Sequence, residues 1–557
     1  MLSKKDLDEQ LKKSRRLAEE NDAKRRAEQL GLPYLDLISV RVPTEIKALT
    51  LVKEEDARKA HLAPLQLIRK KLLLAVFDPR EKEAAAIIEE LKKKFELEIR
   101  IVSLSGLEHG WTYYRFVMEE AKEITGKVDI DETRLSELLQ KIKTLDGLKK
   151  EFEDFKSPLT SQLLEIVLGG SMALKASDIH LEALEDAGAV RYRIDGLLHT
   201  AFDKFSPHHY KSIVMRIKLL SNLKLNITDE PQDGRFTIGL KDRDIEIRTS
   251  IIPSEFGETV VMRLLDPLAL KVNLEDLGWR KDDLVIVKAA IDRPNGLILN
   301  TGPTGSGKTT TLYAFLKNVT TPELKVITVE DPVEYHLEGV SQTQVNADAG
   351  YTFASGLRSI LRQDPDIILI GEIRDQETAE ISLNAALTGH LVFSTLHTND
   401  AVGAIPRFID LGAKPNILAP ALTLVIAQRL VRVLCKQCKT PVTQTPAQAE
   451  VLKKFVAGLS ARVDKTPYEN MTVFASKGCD ACGGLGYRGR TSIFELFEVT
   501  DKIKEAIFRN PSEMELFTLA KEQGMVTMQE DGMLKVIQGI TSVDEVERTT
   551  GIVPWLH

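Results

Sequence analysis

The stretch Leu297–Tyr313, "LILNTGPTGSGKTTTLY", is an apolar run that breaks into glycines, a lysine and three consecutive threonines. Its spacing matches the phosphate-binding pattern G-x-x-x-x-G-K-[ST]. In such a loop, glycines let backbone N–H groups turn around phosphate oxygens, the lysine reaches the β- and γ-phosphates, and the threonine hydroxyl binds Mg²⁺. The helix predicted next directs its positive dipole end at the same anion. The expected nucleotide-binding residues are Gly302, Pro303, Thr304, Gly305, Ser306, Gly307, Lys308, Thr309 and Thr310.

Three further apolar segments after this loop have the character of buried strands. They are "KVITVE" (325–330), "DIILIG" (366–371) and "LVFST" (391–395), and helical stretches separate them. Short buried strands that alternate with helices indicate a largely parallel sheet covered on both faces. The sequence therefore predicts an α/β fold around the phosphate loop.

The bulk composition describes an ordinary globular protein with several domains. The chain has 557 residues, too many for one hydrophobic core, and 43% of them are hydrophobic. The formal net charge of -7 gives no general attraction to a polyanion, so nucleic acid is not expected as the main partner. No stretch has the roughly 18 uncharged apolar residues that span a bilayer, and the amino terminus lacks a signal-peptide core. We expect a cytoplasmic protein with no transmembrane segment.

Changes in pattern along the chain suggest three domains and one linker. Residues 1–112 alternate short apolar runs with helical ones, which indicates a small amino-terminal α/β domain. Residues 113–155 are dense in Lys, Asp and Glu, and we interpret them as a charged linker, helical in part. Residues 156–268 begin with a helix and continue with strand-like segments, which indicates a second α/β domain. Residues 269–557 contain the phosphate loop.

Acidic residues follow two of the predicted strands. Hydrolysis of a bound nucleotide needs carboxylates near the metal and the attacking water, at the carboxyl ends of neighbouring strands. Glu330, Asp331 and Glu334 lie in "ITVEDPVEY", and Glu372 directly follows "DIILIG". The alternative for each is an acidic, solvated strand end. Next to a phosphate loop, we favour a catalytic role.

Two histidines, His390 and His397, flank the strand "LVFST". A single histidine in such a place is usually a hydrogen-bonded core or surface residue. Because these two bracket a strand beside the predicted nucleotide site, we expect a contact with the γ-phosphate.

The cysteines form two C-x-x-C pairs, Cys435/Cys438 and Cys479/Cys482, within a segment spanning about residues 430–490. Two such pairs complete a tetrahedral Zn²⁺ site, and four protein ligands leave no position open for catalysis. The 40 intervening residues must then fold as an excursion. The alternative is four unliganded or redox-active thiols. The absence of a leftover cysteine favours structural zinc.

The order of these motifs resembles the secretion ATPases that drive type II secretion and type IV pilus assembly. The resemblance covers roughly residues 155–550 and rests on "GPTGSGKTTTLY", "TVEDPVEY", "LRQDPDIILIGEIRD", "TGHLVFSTLHTN", "IAQRLVR" and the second cysteine pair. The amino-terminal "LGLPYLDL" and "LAVFDP" resemble the first domain of the same proteins more weakly. The resemblance implies a hexameric ring whose subunits join a PAS-like domain to a RecA-like ATPase domain with an inserted zinc-binding subdomain.

The resemblance also implies roles for individual residues. Lys308 and Thr309 would bind ATP and Mg²⁺, Glu334 would orient or polarise the attacking water, and Glu372 would stand on the metal side. His397, and with weaker support His390, would contact the γ-phosphate. Arginines would neutralise phosphoryl charge as ring segments close, since a planar guanidinium suits that task. The candidates are Arg248 and Arg263 of the middle domain, with Arg358 and Arg362 as further ones.

Three functions remain open at this point. The first is an ATP-driven motor for type IV pilus assembly or for a type II secretion pseudopilus, or for a competence fibre. The long amino-terminal domain and the cysteines favour the extension branch and, within it, the pilus. Its partners would be an inner-membrane platform protein and a cytoplasmic scaffold, which would hold the ring at the membrane. The second is a DNA translocase and the third a non-hydrolysing, nucleotide-gated scaffold.

Overall fold

The computed structural model describes residues 4–40, 42, 44–114, 127–129, 132–154, 160–268 and 272–554. The chain forms two compact units, Met1–Asp266 and Pro267–His557. Within the described ranges, no helix combines the length and the apolar character needed to cross a lipid bilayer.

The first unit begins with a three-stranded sheet in the order β1-β2-β3, in which β2 is antiparallel to β1 and parallel to β3. The strands are β1 (Leu62–Ile68), β2 (Lys71–Val76) and β3 (Glu96–Ile101), and the helices are α1 (Lys4–Leu30), α2 (Ile46–Leu49), α3 (Glu54–Lys59), α4 (Lys82–Lys92) and α5 (Leu104–Trp111). In α4 the buried residues Ala84, Ile88 and Leu91 recur at helical spacing. This stripe joins one hydrophobic core with the buried faces of β1 and β2.

The rest of the first unit is a seven-stranded sheet in the order β4-β8-β9-β10-β5-β6-β7. All its pairs are antiparallel except β4 with β8. The strands are β4 (Lys127–Asp129), β5 (Asp178–Ala183), β6 (Gly188–Ile194), β7 (Leu197–Phe205), β8 (Gln232–Gly239), β9 (Asp244–Ser254) and β10 (Gly257–Leu265), and the helices are α6 (Glu132–Lys141), α7 (Leu145–Glu153), α8 (Thr160–Ala173) and α9 (Pro207–Leu220).

The segment 113–155, expected as a charged linker, contributes a strand and two helices to this part of the unit where it is described. β4 pairs with β8, and α6 and α7 both pack against α8. Leu135, Leu138, Leu148 and Phe152 are buried. These four apolar residues hold the helices against the sheet, while the charged residues around them face solvent.

The second unit is built on a seven-stranded sheet in the order β13-β12-β14-β15-β11-β16-β19. Its strands are β11 (Gly296–Thr301), β12 (Val326–Glu330), β13 (Val340–Gln344), β14 (Ile367–Ile370), β15 (Leu391–Leu396), β16 (Leu422–Leu434) and β19 (Tyr487–Glu498), and a separate two-stranded sheet contains β17 (Lys439–Pro441) and β18 (Phe474–Ser476). Its helices are α10 (Lys281–Ile291), α11 (Lys308–Val319), α12 (Phe353–Ile360), α13 (Gln376–Leu387), α14 (Ala404–Asp410), α15 (Pro415–Ala421), α16 (Pro446–Gly458), α17 (Asp501–Phe508), α18 (Glu513–Glu522), α19 (Met528–Ile537) and α20 (Val543–Thr550).

The large sheet of the second unit is covered on both faces, as the apolar strands predict. Every neighbouring pair is parallel except β16 with β19. Leu297 and Leu299 of β11 belong to one hydrophobic core, and Ile298 between them belongs to another. Because successive side chains of a strand point to opposite faces, both faces of the sheet must be apolar. This explains why the strands are nearly continuous hydrophobic runs.

Candidate nucleotide site and cysteine cluster

The phosphate loop connects β11, in the interior of the sheet, to α11. Gly302, Gly305 and Gly307 have φ angles of 146°, 78° and 90°, values that L side chains rarely adopt. A Cβ atom on Gly302 would lie 2.5 Å from the Gln428 backbone oxygen, and one on Gly307 would lie 2.9 Å from Gln428 Nε2. Glycine is therefore required at both positions by backbone conformation and by space.

The polar groups of the loop fit a bound phosphate. Lys308 Nζ donates to the backbone oxygens of Gly302 at 2.8 Å and Pro303 at 3.0 Å, so the ammonium lies across the loop. Burial lowers the pKa of Lys308. The Ser306 hydroxyl oxygen is buried and has no hydrogen-bond partner among the described residues. A buried hydroxyl without a partner, beside an ammonium that bonds only to carbonyls, is suited to a phosphate oxygen.

A buried glutamine that sequence reasoning did not single out supports the loop. Gln428 of β16 accepts from Asn300 Nδ2 at 2.8 Å and from Thr311 Oγ1 at 2.9 Å, and it donates to Ser492 Oγ at 3.0 Å. The side chain thus joins β11, α11 and β19 beneath the loop. Its signal in the sequence is a polar residue inside the long apolar run "LTLVIAQRLVRVL".

Glu372 and His397 come together at the carboxyl edge of the sheet. Glu372 follows β14 and His397 follows β15, and both strands lie between β11 and β12. His397 Nε2 lies 3.2 Å from Glu372 Oε2, and Arg374 forms an ion pair with the same carboxylate. Glu372 also interacts electrostatically with Lys308 and opposes the lowering of its pKa. An acidic group that faces the phosphate lysine is in the place where a bound metal needs a ligand.

His390 does not share this edge, which corrects the expectation that both histidines contact the γ-phosphate. It precedes β15, whereas His397 follows it. A strand of six residues is about 20 Å long, so the two rings lie at opposite ends of the sheet. His390 Nδ1 instead lies 3.0 Å from the backbone oxygen of Ala385 at the end of α13.

The acidic box, which we define as residues 330–334, contains one buried and one half-buried glutamate. Glu330 is 4% exposed, and its carboxylate accepts from Tyr313, Thr328 and Gln342. Three hydrogen bonds thus engage the buried carboxylate of Glu330, which was one of the candidate carboxylates for hydrolysis. Glu334 is half-buried in the loop between β12 and β13. Within the part of the chain that the structure describes, its carboxylate has no hydrogen bond or ion pair.

The arginines expected to contact phosphate lie in two different places. Arg248 stands opposite Arg263 and Arg235 in the β8-β9-β10 register of the first unit. Arg248 Nε lies 3.2 Å from Glu246, and Arg263 Nε donates to Asp178 at 3.0 Å. Directly opposite residues share one face of an antiparallel sheet, so the three arginines lie together there with Glu246 and Asp178 as their acidic partners.

The other two arginines belong to the second unit, near the end of α12. Arg358 forms an ion pair with Glu377 of α13, and Arg362 donates to the backbone oxygen of Arg358 at 2.9 Å. Both side chains are thus engaged with their neighbouring helices.

The four cysteines form one cluster between the end of β16 and the start of β19. The Sγ atoms of Cys435 and Cys479, of Cys438 and Cys482, and of Cys479 and Cys482 are each 3.8 Å apart. All four atoms lie within 4.8 Å of one another. Sulfurs bound to one zinc ion at about 2.3 Å stand about 3.8 Å apart at the corners of a tetrahedron. The cluster is therefore compatible with zinc.

Hydrogen-bond donors contact the sulfurs of Cys438 and Cys482, whereas burial raises the pKa of Cys479 to about 11. The N–H groups of Cys479 and Gly486 both donate to Cys482 Sγ at 3.2 Å. Cys438 Sγ lies 3.0 Å from the Ser476 hydroxyl, whose hydrogen bond lowers the pKa of that thiol to about 7. Donors that converge on sulfur stabilise a thiolate, which is the form that binds a metal.

A phosphate loop at the end of an inner parallel strand, with carboxylates on neighbouring strand ends, defines a P-loop nucleotide-binding protein. The family described as type II/IV secretion system protein matches residues 153–548, and the chain belongs to this family. The motif resemblance noted in the sequence is thereby confirmed. A second family, described as the MshEN domain, matches residues 30–108.

Relatives of two kinds are similar to the chain. Type II secretion system protein E of Pseudomonas aeruginosa is 43% identical over 433 residues, which are 78% of this chain and 82% of that protein. The type IV pilus assembly ATPase PilB of Myxococcus xanthus is 37% identical over 531 residues, which are 94% of this chain and 90% of that protein. Sequence identity does not separate the two kinds.

A solved structure supports the fold. The X-ray structure of the Legionella pneumophila ATPase DotB superposes with a TM-score of 0.51 at 20% identity, and the match covers 71% of this chain and 96% of that chain. At this identity the likeness concerns the fold alone.

Proposed function

We propose that this protein is an ATP-hydrolysing motor that powers type IV pilus assembly, with the pseudopilus motor of type II secretion as the alternative. The observation that carries the proposal is that the phosphate loop with Lys308 and the pair of Glu372 and His397 follow neighbouring strands at the carboxyl edge of one largely parallel sheet. This edge offers an ammonium for phosphate, a carboxylate for a metal and an imidazole beside it. The pilus is preferred because the pilus assembly relative matches 94% of this chain, including its amino-terminal part.

Each residue has a distinct part in the proposed reaction. Lys308 and the loop amides hold the triphosphate of ATP, and the Ser306 hydroxyl donates to a phosphate oxygen. Thr309 and Glu372 would hold Mg²⁺, and the ion would supply positive charge for the phosphates. Glu334 orients the attacking water, and His397 senses the γ-phosphate from its place beside Glu372. Cys435, Cys438, Cys479 and Cys482 hold a structural Zn²⁺.

The motor works as a homo-hexamer in this proposal. Arg248 and Arg263 reach phosphate when neighbouring segments of the ring close, and hydrolysis then drives one module against another. The ring acts on an inner-membrane platform protein and a cytoplasmic scaffold, and these partners keep it at the inner membrane. DNA is not a partner, because a net charge of -7 provides no general attraction to it.

Substitutions at Glu334 and Lys308 test the proposal. Glu334→Gln keeps the shape of the side chain but cannot polarise water as a carboxylate does, so we expect kcat to fall at least about 100-fold with ATP binding retained. Lys308→Ala removes the phosphate contact, and we expect both binding and turnover to be lost. The measurements are steady-state phosphate release and binding of a fluorescent ATP analogue.

Glu338→Gln is the matched control, since Glu338 is an exposed glutamate of the same loop. Unchanged turnover in Glu334→Gln would contradict the assignment of that residue. ATP binding without any turnover by the wild-type hexamer would support the scaffold alternative. Turnover that rises with DNA and falls steeply with salt would support the translocase.

A further inference from the structure

The loop that carries Glu334 is held by two side chains of neighbouring elements. One is Tyr313 of α11, whose hydroxyl is contacted by the backbone N–H groups of Glu334 and Tyr335, and the other is Gln342 of the following strand. This loop, residues 331–339, runs from the end of β12 to the start of β13. From β13, Gln342 accepts from the backbone N–H of Leu337 at 2.8 Å and donates to the backbone oxygen of Tyr335 at 2.9 Å. Its amide nitrogen also donates to Glu330 Oε1 at 3.2 Å. One amide therefore bonds to both the loop and the strand that precedes it.

The partners of Gln342 fix the orientation of its amide. The Leu337 N–H can only donate, so the amide oxygen must face it. The Tyr335 carbonyl and the Glu330 carboxylate can only accept, so the amide nitrogen must face them. Glutamine is the residue that meets these demands at this length. A glutamate would place a carboxylate oxygen against a carbonyl and against a second carboxylate.

The same hydrogen bonds reach the helix that follows the phosphate loop. Glu330 accepts at Oε2 from the Tyr313 hydroxyl at 2.5 Å. Tyr313 is a buried residue of α11, five positions after Lys308. Tyr313, Glu330 and Gln342 thus form a continuous path from the nucleotide-binding helix to Tyr335, the neighbour of Glu334. Buried, fully satisfied hydrogen-bond networks restrict the groups that they join.

We propose that Gln342 is a positioning residue for ATP hydrolysis, which holds the acidic-box loop so that Glu334 meets the attacking water. Gln342 acts through Glu334 and touches neither nucleotide nor metal. Glu330 and Tyr313 connect its amide to the helix that follows the phosphate loop. The position of the Glu334 carboxylate is thereby fixed relative to the bound substrate. The inference rests on the proposed function, because it requires that Glu334 act in hydrolysis.

The single substitution Gln342→Ala separates positioning from binding. It removes the two hydrogen bonds between Gln342 and the loop, together with its bonds to Glu330 and Tyr313, and leaves the phosphate loop intact. We expect kcat to fall between about 10- and 100-fold, the loss typical of a misplaced catalytic group, with the KM for ATP and the binding of an ATP analogue changed little. Gln342→Glu restores only the acceptor for Leu337, and we expect it to be at least as slow as Gln342→Ala.

A double-mutant cycle with Glu334→Gln provides the decisive readout. If Gln342 acts through Glu334, then Gln342→Ala should lower the turnover of Glu334→Gln by less than about twofold. If Gln342 contributed only to general stability, Gln342→Ala would lower kcat by the same factor in the wild-type and Glu334→Gln backgrounds. That result would overturn the inference. Equal kcat in Gln342→Ala and wild type would also overturn it.

Gln344→Ala is the matched control, because Gln344 is an exposed glutamine two residues further along β13. We expect wild-type kcat and wild-type melting temperature for this variant. An inactive wild-type protein or a fully active Glu334→Gln variant would contradict the proposed function and the inference with it. Wild-type kcat in Gln342→Ala beside a slow Glu334→Gln variant would contradict the inference alone.

Discussion

At the scale of single residues, Glu545 shows how a buried carboxylate can stabilise the second unit. Its side chain is 2% exposed and accepts from Arg548 at 2.8 Å and from the backbone N–H of Arg432 at 3.1 Å, and the Arg432 guanidinium pairs with it as well. Burial alone would raise the pKa of Glu545, but these donors lower it from 4.5 to about 2. The charged form is therefore favoured in the folded chain.

This pKa predicts a stability loss in acid. A carboxyl group whose pKa is lower in the folded state stabilises the fold above the unfolded value of 4.5, and the contribution disappears as the pH falls towards 2. Glu545→Gln leaves the Arg432 guanidinium beside a neutral group. We therefore expect this substitution to lower the free energy of unfolding by about 3 kcal/mol at neutral pH and the apparent melting temperature by about 5 °C.

Thermal unfolding between pH 7 and pH 3 measures both effects. The difference in melting temperature between wild type and Glu545→Gln should decrease as the pH falls below 4.5. Asp544→Asn, at an exposed position on the same helix, should melt within about 1 °C of wild type at every pH. A gap that stays constant with pH would show that charge on Glu545 does not contribute.

At the scale of elements, the antiparallel pair of β16 and β19 separates the phosphate loop from the cysteine cluster. Gln428 supports the loop near the middle of β16, and Cys435 directly follows the end of the same strand. The excursion between the strands contains two strands of three residues each, β17 and β18, and one longer helix, α16. A small segment of this kind usually needs a metal or a disulfide to stay folded.

The cluster therefore predicts about one zinc ion per chain by elemental analysis of the purified protein. Cys438→Ser should lower the zinc content to below about half, since removing one thiolate weakens a four-ligand site. It should also increase proteolysis within residues 439–478. Arg488→Ser, at an exposed site beside the cluster, is the control. A folded, protease-resistant protein without metal would contradict the zinc assignment.

The elements also show what the sequence could and could not predict. The strands of the second unit were predictable because burial on both faces makes them continuous apolar runs, and the phosphate loop was predictable from its spacing. His390 already had weaker support than His397, and β15 places the two histidines at its opposite ends. Glu330 looked like Glu334 because its partners Tyr313 and Gln342 are distant in sequence. Residues 113–155 were interpreted as a linker because charged residues are frequent there and apolar residues such as Leu138 and Phe152 are sparse.

At the scale of the whole molecule, the two units contribute different charges to the proposed ring. The second unit contains the phosphate loop and the carboxylates, and the first contains Arg248 and Arg263, which we propose contribute to hydrolysis in the ring. An arginine that stabilises developing phosphoryl charge affects turnover far more than ground-state binding. In the proposed motor, the first unit therefore adds to hydrolysis a contribution that nucleotide binding in the second unit does not require.

Arg263→Ala tests this division of labour. We expect kcat to fall at least about 10-fold while the hexamer forms and binds ATP normally. Arg235→Ala is the control, because Arg235 lies on the same face but is 76% exposed at its side chain. Phosphate release and native mass give the two readouts. A loss of assembly in Arg263→Ala would assign this arginine to subunit contact, and equal losses in both variants would point to general electrostatics.

The hydrogen bonds of Lys308 to Gly302 and Pro303 have a consequence for selectivity. A ligand that binds Lys308 must replace the hydrogen bonds that the ammonium makes to these two carbonyl oxygens. A triphosphate does so readily, whereas adenosine has no anionic group to offer. The loop thus discriminates against adenosine before any contact with the base is made. We therefore expect adenosine to compete poorly with ATP for the site.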